Sequence, residues 1–309
     1  MSRSYFSFFY RLKYELYFPI LGLFQMITIS VWGSKEGAMI DWPRKISMEK
    51  HLIFLESREE EIQFLSKSIK KKDGFEDLYN HARLWRQNIA FKTRAASRSY
   101  FGKDRRVEGG ILYTSLGISG GEELIFKLDD SLKRGSKINA IPQLNLKDSL
   151  FSSYIIYGNI QNASGLQQIK LTQIIRYEGN LEKAGLIYRV YFGNEPQRRY
   201  IWIHTPAENI SIIFSEIERL YQRYLDSDDQ EFLIKEIAKI HWWICQASPC
   251  YRGTAAISEV IIAALIKAKN LQIRLKPRVL MDLQALAEER IERFVFNYKG
   301  FYESSFTDP

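Results

Sequence analysis

The residue types and spacing best suited to chemistry lie in one short run, Ser248-Pro249-Cys250-Tyr251-Arg252-Gly253-Thr254-Ala255-Ala256, between two helix-like segments. Ser248 offers a hydroxyl and Arg252 a permanent cation with five donors. Gly253, Thr254, Ala255 and Ala256 open a helix, where uncommitted backbone amides and the helix dipole attract an anion whatever the side chains are. An arginine beside such amides suits a phosphate or diphosphate, with the guanidinium in place of a metal ion. Arg189, in the β-rich run from Ile187 to Phe192, is a second candidate phosphate ligand. His204, closing the next β-rich run, is a candidate acid or base.

Each of these residues has a structural alternative. Arg252 also fits a cap on the carbonyls of the preceding helix, and Arg189 a cross-strand ion pair. Ser248 fits a loop hydroxyl, because no histidine is near it in sequence. Trp242, Trp243 and Tyr251 suit either a base-stacking platform or the core, and His241 shares its helix with Ile240 and Ile244 as a satisfied, partly buried residue. Glu259, a carboxylate in an otherwise apolar helix, requires a partner, for which Arg252 and Arg189 are available.

The elements that position this run follow from hydrophobic period and punctuation. Ser47 to Lys72 carries Leu52, Leu55, Ile62, Leu65 and Ile69 at helical spacing, Asp73-Gly74 breaks it, and Phe75 to Ala96 resumes it, which predicts two antiparallel helices. From Ser97 to Gly121 glycines alternate with clustered cations, Lys103, Arg105 and Arg106 among them. This stretch reads as a phosphate loop or as a glycine-rich connection with solvated charges. Residues 111–160 read as short, irregular elements, with ISGGEELIF and SYIIYGNI the best defined. Ser164 to Ala184 reads as helix capped by Gly185. Ile187 to Phe192 and Arg199 to His204 flank a GNEP turn, the pattern of a hairpin. Helices follow from Thr205-Pro206 to about Tyr224, from Glu231 to Gln246, from Thr254 through the apolar AAISEVIIAALI, and from about Arg278 to Val295. A helix apolar nearly all round belongs in the middle of a bundle.

Composition bounds the partners. The 309 residues are 46% hydrophobic and 14% aromatic, ample for a packed core, and the formal charge of +8 suits an acidic or phosphorylated partner. No pattern of a specific nucleic-acid binder accompanies that charge. Cys245 and Cys250 cannot make a disulfide framework, and His51, His81, His204 and His241 lack metal-ligand spacing, so no metal is expected. Residues 16–34 carry no charge and follow Arg3, Arg11 and Lys13. They read as a membrane or export segment, or as a packing element interrupted by Pro19, Gln25, Thr28 and Ser30.

The order of hairpin, proline-initiated helix, second helix, proline-containing loop, glycine and apolar helix resembles the Fic/Fido family, with AGLIYRV at the entry to the flap and SPCYRGTAA in place of the family's HPFx[DE]GNGR loop. The resemblance implies a mainly α fold, a Fic/Fido-like helical bundle with a small β-hairpin flap. The expected division is an apolar segment at 1–45, a helical and irregular region at 46–160 and a Fido-like core at 161–309. Ser248 stands where the family has its catalytic histidine, Arg252 where it has an acidic metal ligand, and Thr254, Ala255 and Ala256 where it has Asn, Gly and Arg. The histidine and metal chemistry of AMP transfer is therefore not expected. The departures resemble the avirulence-B-type branch, which includes bacterial effectors secreted into host cells. That resemblance implies a nucleotide- or nucleotide-sugar-binding transferase that modifies a hydroxyl of a host protein, with Arg252, Ser248 and His204 catalytic and Arg189, Arg252 and Gly253 to Ala256 on the nucleotide. The alternative is a catalytically inactive binding protein of the same fold.

Overall fold

In the computed structural model the described residues are 48–95, 97–115, 122–147, 150–162, 165–180, 200–276 and 279–304. They form a mainly helical molecule with a small antiparallel sheet. The apolar segment 16–34 and Arg189 lie outside them. Among the described residues no helix is long and apolar enough to cross a membrane.

The first two helices, α1 (Met48–Lys70) and α2 (Phe75–Lys92), pack antiparallel as their periods predict. His81 Nδ1 meets Glu61 Oε1 at 2.8 Å, and the Trp85 indole N–H donates to the Ser57 carbonyl at 3.0 Å. A short turn of helix, α3 (Arg105–Glu108), follows, N-capped by the Asp104 carboxylate accepting from the Arg106 amide at 2.8 Å. Next come β1 (Tyr113–Ser115), α4 (Glu122–Lys133) and β2 (Ser136–Ile138).

Strands β3 (Phe151–Asn162), β4 (Gly165–Tyr177) and β5 (Tyr200–Ile203) complete a five-stranded sheet of order β1-β5-β4-β3-β2. Where the sequence suggests a helix from Ser164 to Ala184, Gly165–Tyr177 instead form a strand, paired antiparallel with β3. The reason is two-sided burial: Leu171 to Ile175 are all buried, so the strand shows a continuous run in place of clean alternation, and its period is ambiguous. Ile174, Tyr200 and Trp202 face the helical core, while Ile175, Ile201 and Ile203 face a smaller cluster built with Ile141, Leu144 and Phe151. The predicted strand from Arg199 to His204 is β5. The hairpin expected of it with Ile187 to Phe192, residues outside those described, is not what β5 forms: β1 and β4 pair with its two edges and leave neither for that partner.

The remaining helices are α5 (Ala207–Leu225), α6 (Gln230–Ala247), α7 (Thr254–Ala268), α8 (Met281–Ala287) and α9 (Ile291–Tyr298). A two-stranded ribbon of β6 (Ile273–Leu275) and β7 (Tyr302–Ser304) closes the far end of α7. The helix expected from Arg278 to Val295 is broken in two, because the Glu288 carbonyl accepts from the buried Trp242 indole at 3.0 Å and the Arg290 amide turns back to Glu288 Oε1 at 3.3 Å. Helix α6 is the hub, packing against α5, α7, α8, α9 and β4. Trp243 on α6 lies so close to the backbone of β3 that a Cβ at Gly158 would sit 2.4 Å from the indole. Helix α7 is buried among α1, α2 and α6, as its all-round apolarity predicts.

Candidate functional site

The loop between α6 and α7 is fixed by two left-handed residues. Ser248 (φ 42°) caps α6, and its amide donates to the Ile244 and Cys245 carbonyls, both at 3.2 Å. Gly253 (φ 94°) starts α7, and a Cβ there would lie 2.8 Å from Arg86 Cγ, so both the backbone angle and the close approach require glycine. No side chain caps α7, which leaves the first-turn amides beginning at Thr254 open to a ligand.

The segment 101–105 clamps this loop along its length. The Gly102 amide donates to the Arg252 carbonyl at 3.0 Å, Tyr251 to Lys103 at 3.1 Å, and Arg105 to Pro249 at 2.9 Å. The Arg105 guanidinium, fully buried, donates to the Ser248 carbonyl at 2.8 Å and to the Thr205 carbonyl at 2.7 Å. Arg105 thus takes the role of capping α6 carbonyls that the sequence offers to Arg252. Burial lowers its pKa to about 10, so it stays charged. Arg106 is engaged internally too, by Asp104 and Glu76, so these clustered cations are not solvated charges.

Arg252 is half-buried, with its guanidinium carbon 5.3 Å from the centre of the Phe101 ring. The same ring lies under Arg86, 4.0 Å away. Burial and then the nearby Arg252 charge lower Arg86 to about 9, and burial lowers Arg252 as well. Two guanidiniums thus share one aromatic ring beside the start of α7, where no side chain caps the first-turn amides.

Ser248 and His204, distant in sequence, are brought together: Ser248 Oγ lies 2.9 Å from His204 Nδ1 and donates to the Cys245 carbonyl at 2.9 Å. Because the serine proton goes to that carbonyl, Nδ1 carries the imidazole proton, and Nε2 accepts from the Thr114 hydroxyl at 3.0 Å. Burial, and then Arg105, hold His204 down to about 3, so the ring is neutral. Ser248, His204 and Thr114 are all buried, and they brace β1, the end of β5 and the α6–α7 loop against one another.

The aromatic candidates belong to the core: Trp242 and Trp243 are buried, and the Tyr251 hydroxyl donates to the Gly109 carbonyl. Glu259 lines a cavity bounded by α1, α7 and the β6–β7 ribbon, whose wall cations are Arg58, Lys267 and Arg274. Sequence reasoning passed over Arg86, Phe101 and Thr114 and met Arg105 only as one of a cluster of cations; all four reach the loop through long-range packing. Burial pushes the carboxyl of Asp282, at the start of α8, up to about 6. Cys245 and Cys250 are raised by burial, the latter to about 12, so neither is a thiolate nucleophile. Among the described residues no group of three or more His, Cys, Asp and Glu side chains is placed to hold a metal.

Residues 145–305, just over half of the chain, match the AvrB/AvrC avirulence-protein family. A curated relative, avirulence protein B of Pseudomonas savastanoi pv. glycinea, is 32% identical over 103 residues, 33% of this chain and 32% of that protein. The matched segment therefore spans about a third of that relative's length.

Proposed function

We propose, from the premise that this chain belongs to the AvrB/AvrC avirulence-protein family, that it is a secreted bacterial effector which holds a nucleotide or nucleotide-sugar at the α6–α7 loop and transfers a group from it to a hydroxyl of a host protein. In this reading the helices form a Fido-like bundle around the α6–α7 loop. The observation that carries it is the pairing of Arg86 and Arg252 over Phe101 beside the uncapped start of α7.

The chemistry asked of these groups is leaving-group stabilisation. In glycosyl transfer the bond from the anomeric carbon to the diphosphate oxygen breaks, with its electron pair leaving on the nucleoside diphosphate. The host hydroxyl oxygen bonds to that carbon, and its proton passes to an oxygen of the departing diphosphate. Arg252, Arg86 and the amides of Thr254 to Ala256 would hold the growing diphosphate charge without a metal ion. His204 and Ser248 serve as positioning residues, and Arg189 is proposed as a further phosphate ligand from the flap.

A second reading, a binding protein of the same fold without turnover, is favoured by the burial of Ser248 and His204 and by their mutual hydrogen bond. Calorimetric titration with ATP, ADP, UDP-sugars and TDP-sugars separates these ideas from failure. No binding by any of them sinks both nucleotide readings. Where a ligand binds, Arg252→Ala should weaken it by about 1.5–3 kcal/mol, the worth of a charge-assisted contact. Mass spectrometry of host proteins incubated with chain and donor then decides between the two: a mass increase marks a transferase, and co-purification without modification marks a binder.

A further inference from the structure

The outer face of the α1–α2 pair carries a line of large apolar side chains left half exposed. On α2, Leu84 and Phe91 stand two helical turns apart and so share one face, with Asn88 between them, and their exposures are 47% and 48%. His81 lies one turn before Leu84 on that face, and its ring stacks on Phe64 of α1 at 3.8 Å; Phe64 is itself 46% exposed. At the other end the Arg98 guanidinium carbon sits 5.7 Å from the centre of the Phe91 ring. Phe64, His81, Leu84, Phe91 and Arg98 therefore form one continuous stripe, about 17 Å long from His81 to the end of α2.

The stripe ends in charge of one sign. Lys92, Arg94 and Arg98 are all exposed, and among the described residues no carboxylate pairs with any of them. The carbonyl end of α2 offsets only about half of one charge, so most of this positive charge is unanswered. At the opposite end Glu60, also exposed, lies one turn before Phe64 on α1. A flat anionic membrane would meet that carboxylate together with the cations, whereas a segment of helix width meets the cations with its own acidic end alone. The chain's own apolar run 16–34 carries no charge and cannot answer them. An amphipathic segment satisfies both halves of the stripe, with apolar residues at helical spacing over Phe64, Leu84 and Phe91 and carboxylates over Lys92, Arg94 and Arg98. This face lies before residue 145, where the family match begins, so it belongs to a part of the chain that the match does not cover.

We propose that the outer face of α1 and α2 is a docking surface for an acidic, amphipathic helical segment of a partner protein, independent of what the α6–α7 loop binds. The test selects random peptides of about 15 residues, enough for four helical turns, on the full chain, and titrates the enriched sequences by fluorescence anisotropy. They should carry apolar residues at helical spacing with Asp or Glu clustered at one end. Leu84→Ser combined with Phe91→Ser should weaken their binding at least about tenfold, while the unfolding midpoint stays near that of the parent because both side chains are half exposed. Lys92→Gln combined with Arg94→Gln should weaken it about fivefold, and high salt should weaken binding to the parent. A selection that enriches nothing, or only neutral or basic peptides, overturns the proposal, as does equal binding by the folded Leu84→Ser, Phe91→Ser chain. Three further results overturn it by naming another occupant. A dimer of the parent that this double variant dissolves makes the stripe a contact between copies, and sedimentation with phosphatidylserine vesicles that the variant loses makes it a membrane surface. A benzophenone side chain placed at Asn88 that crosslinks into residues 16–34 of the same chain makes it an internal contact.

Discussion

His204 and His241 are both buried and both held neutral, yet they sit in regions of opposite character. His204 has both nitrogens engaged, by Ser248 and Thr114, inside a lattice that also holds Arg105, Thr205 and the α6–α7 loop. His241 has one nitrogen on Tyr298 and the other without a hydrogen-bond partner at the edge of a cavity. The difference separates two uses of buried polarity. A satisfied network fixes a backbone so that what lies on its surface, here Arg252 and the α7 amides, is held in place. An unsatisfied buried atom is a cost that the packing around it must offset.

The lattice around His204 breaks most completely at Arg105. Arg105→Leu removes the donor to the Ser248 and Thr205 carbonyls in a fully buried place, and each carbonyl is left without water to replace it. Denaturant unfolding should show a loss of about 3–5 kcal/mol. Arg105→Lys should rescue little of this, because one ammonium does not reproduce the guanidinium fork.

Acid distinguishes the histidines from the carboxylates. A histidine that titrates near 6.5 when unfolded but only at about 3 when folded makes the unfolded chain bind more protons between those values. Its contribution to stability is therefore full above 6.5 and is lost as the pH falls toward 3, at about 2 kcal/mol per histidine between pH 6.5 and 5. Asp282, raised to about 6, acts the other way: its contribution is present at low pH and is lost as the pH rises from about 3.8 to about 6. Unfolding free energy measured from pH 7 to 5 should fall. Because Asp282 offsets part of the histidines' effect over this range, replacing either His204 or His241 by Gln should remove well over half of that decline; an unchanged slope in both variants would show that neither ring is neutral in the folded chain.

The comparison also marks where the sequence speaks clearly. Helices α1, α2, α5, α6 and α7 are written in apolar periods and in their breaks, and the loop run from Ser248 to Ala256 stands out by its glycine, its arginine and its place before an apolar helix. What surrounds the run is silent in sequence. Arg86, Phe101 and Thr114 lie 138 to 167 residues before Arg252 or Gly253 along the chain, and nothing local in their own segments distinguishes them from surface or core residues. Strand β4 misleads for a related reason, since burial on both faces erases the alternation that marks a strand. Arg105 is the sharpest case: in sequence it is one member of a cationic cluster, and only the fold makes it the fully buried support of the loop.

At Gly253 the loop can be strained without removing any hydrogen bond. Gly253→Ala places a Cβ in the left-handed region and 2.8 Å from Arg86 Cγ, so the backbone must shift or Arg86 must leave Phe101. A loss of about 2 kcal/mol in unfolding free energy is expected. If the α7 amides and Arg86 act together on an anion, nucleotide affinity in calorimetry should fall further than in a variant of equal stability loss placed elsewhere, such as Asp229→Ala at the N-cap of α6.

The smallest change is the most direct, because it turns one histidine's situation into the other's. Thr114→Val keeps the shape of the side chain and removes the hydroxyl that donates to His204 Nε2, leaving a buried acceptor unmet as at His241. The cost should be about 1–2 kcal/mol, read by denaturant unfolding at pH 7. His204 keeps its bond from Nδ1 to Ser248, so the tautomer and the loop geometry should persist, and ligand binding at Arg252 should weaken far less than stability does. A variant as stable as the parent would mean that the Thr114 contact carries no net energy, and His204 would then be held by Ser248 and packing alone. A variant with intact stability but lost nucleotide binding would reverse the assignment, making Thr114 a residue that meets the ligand and the His204 network part of the chemistry itself.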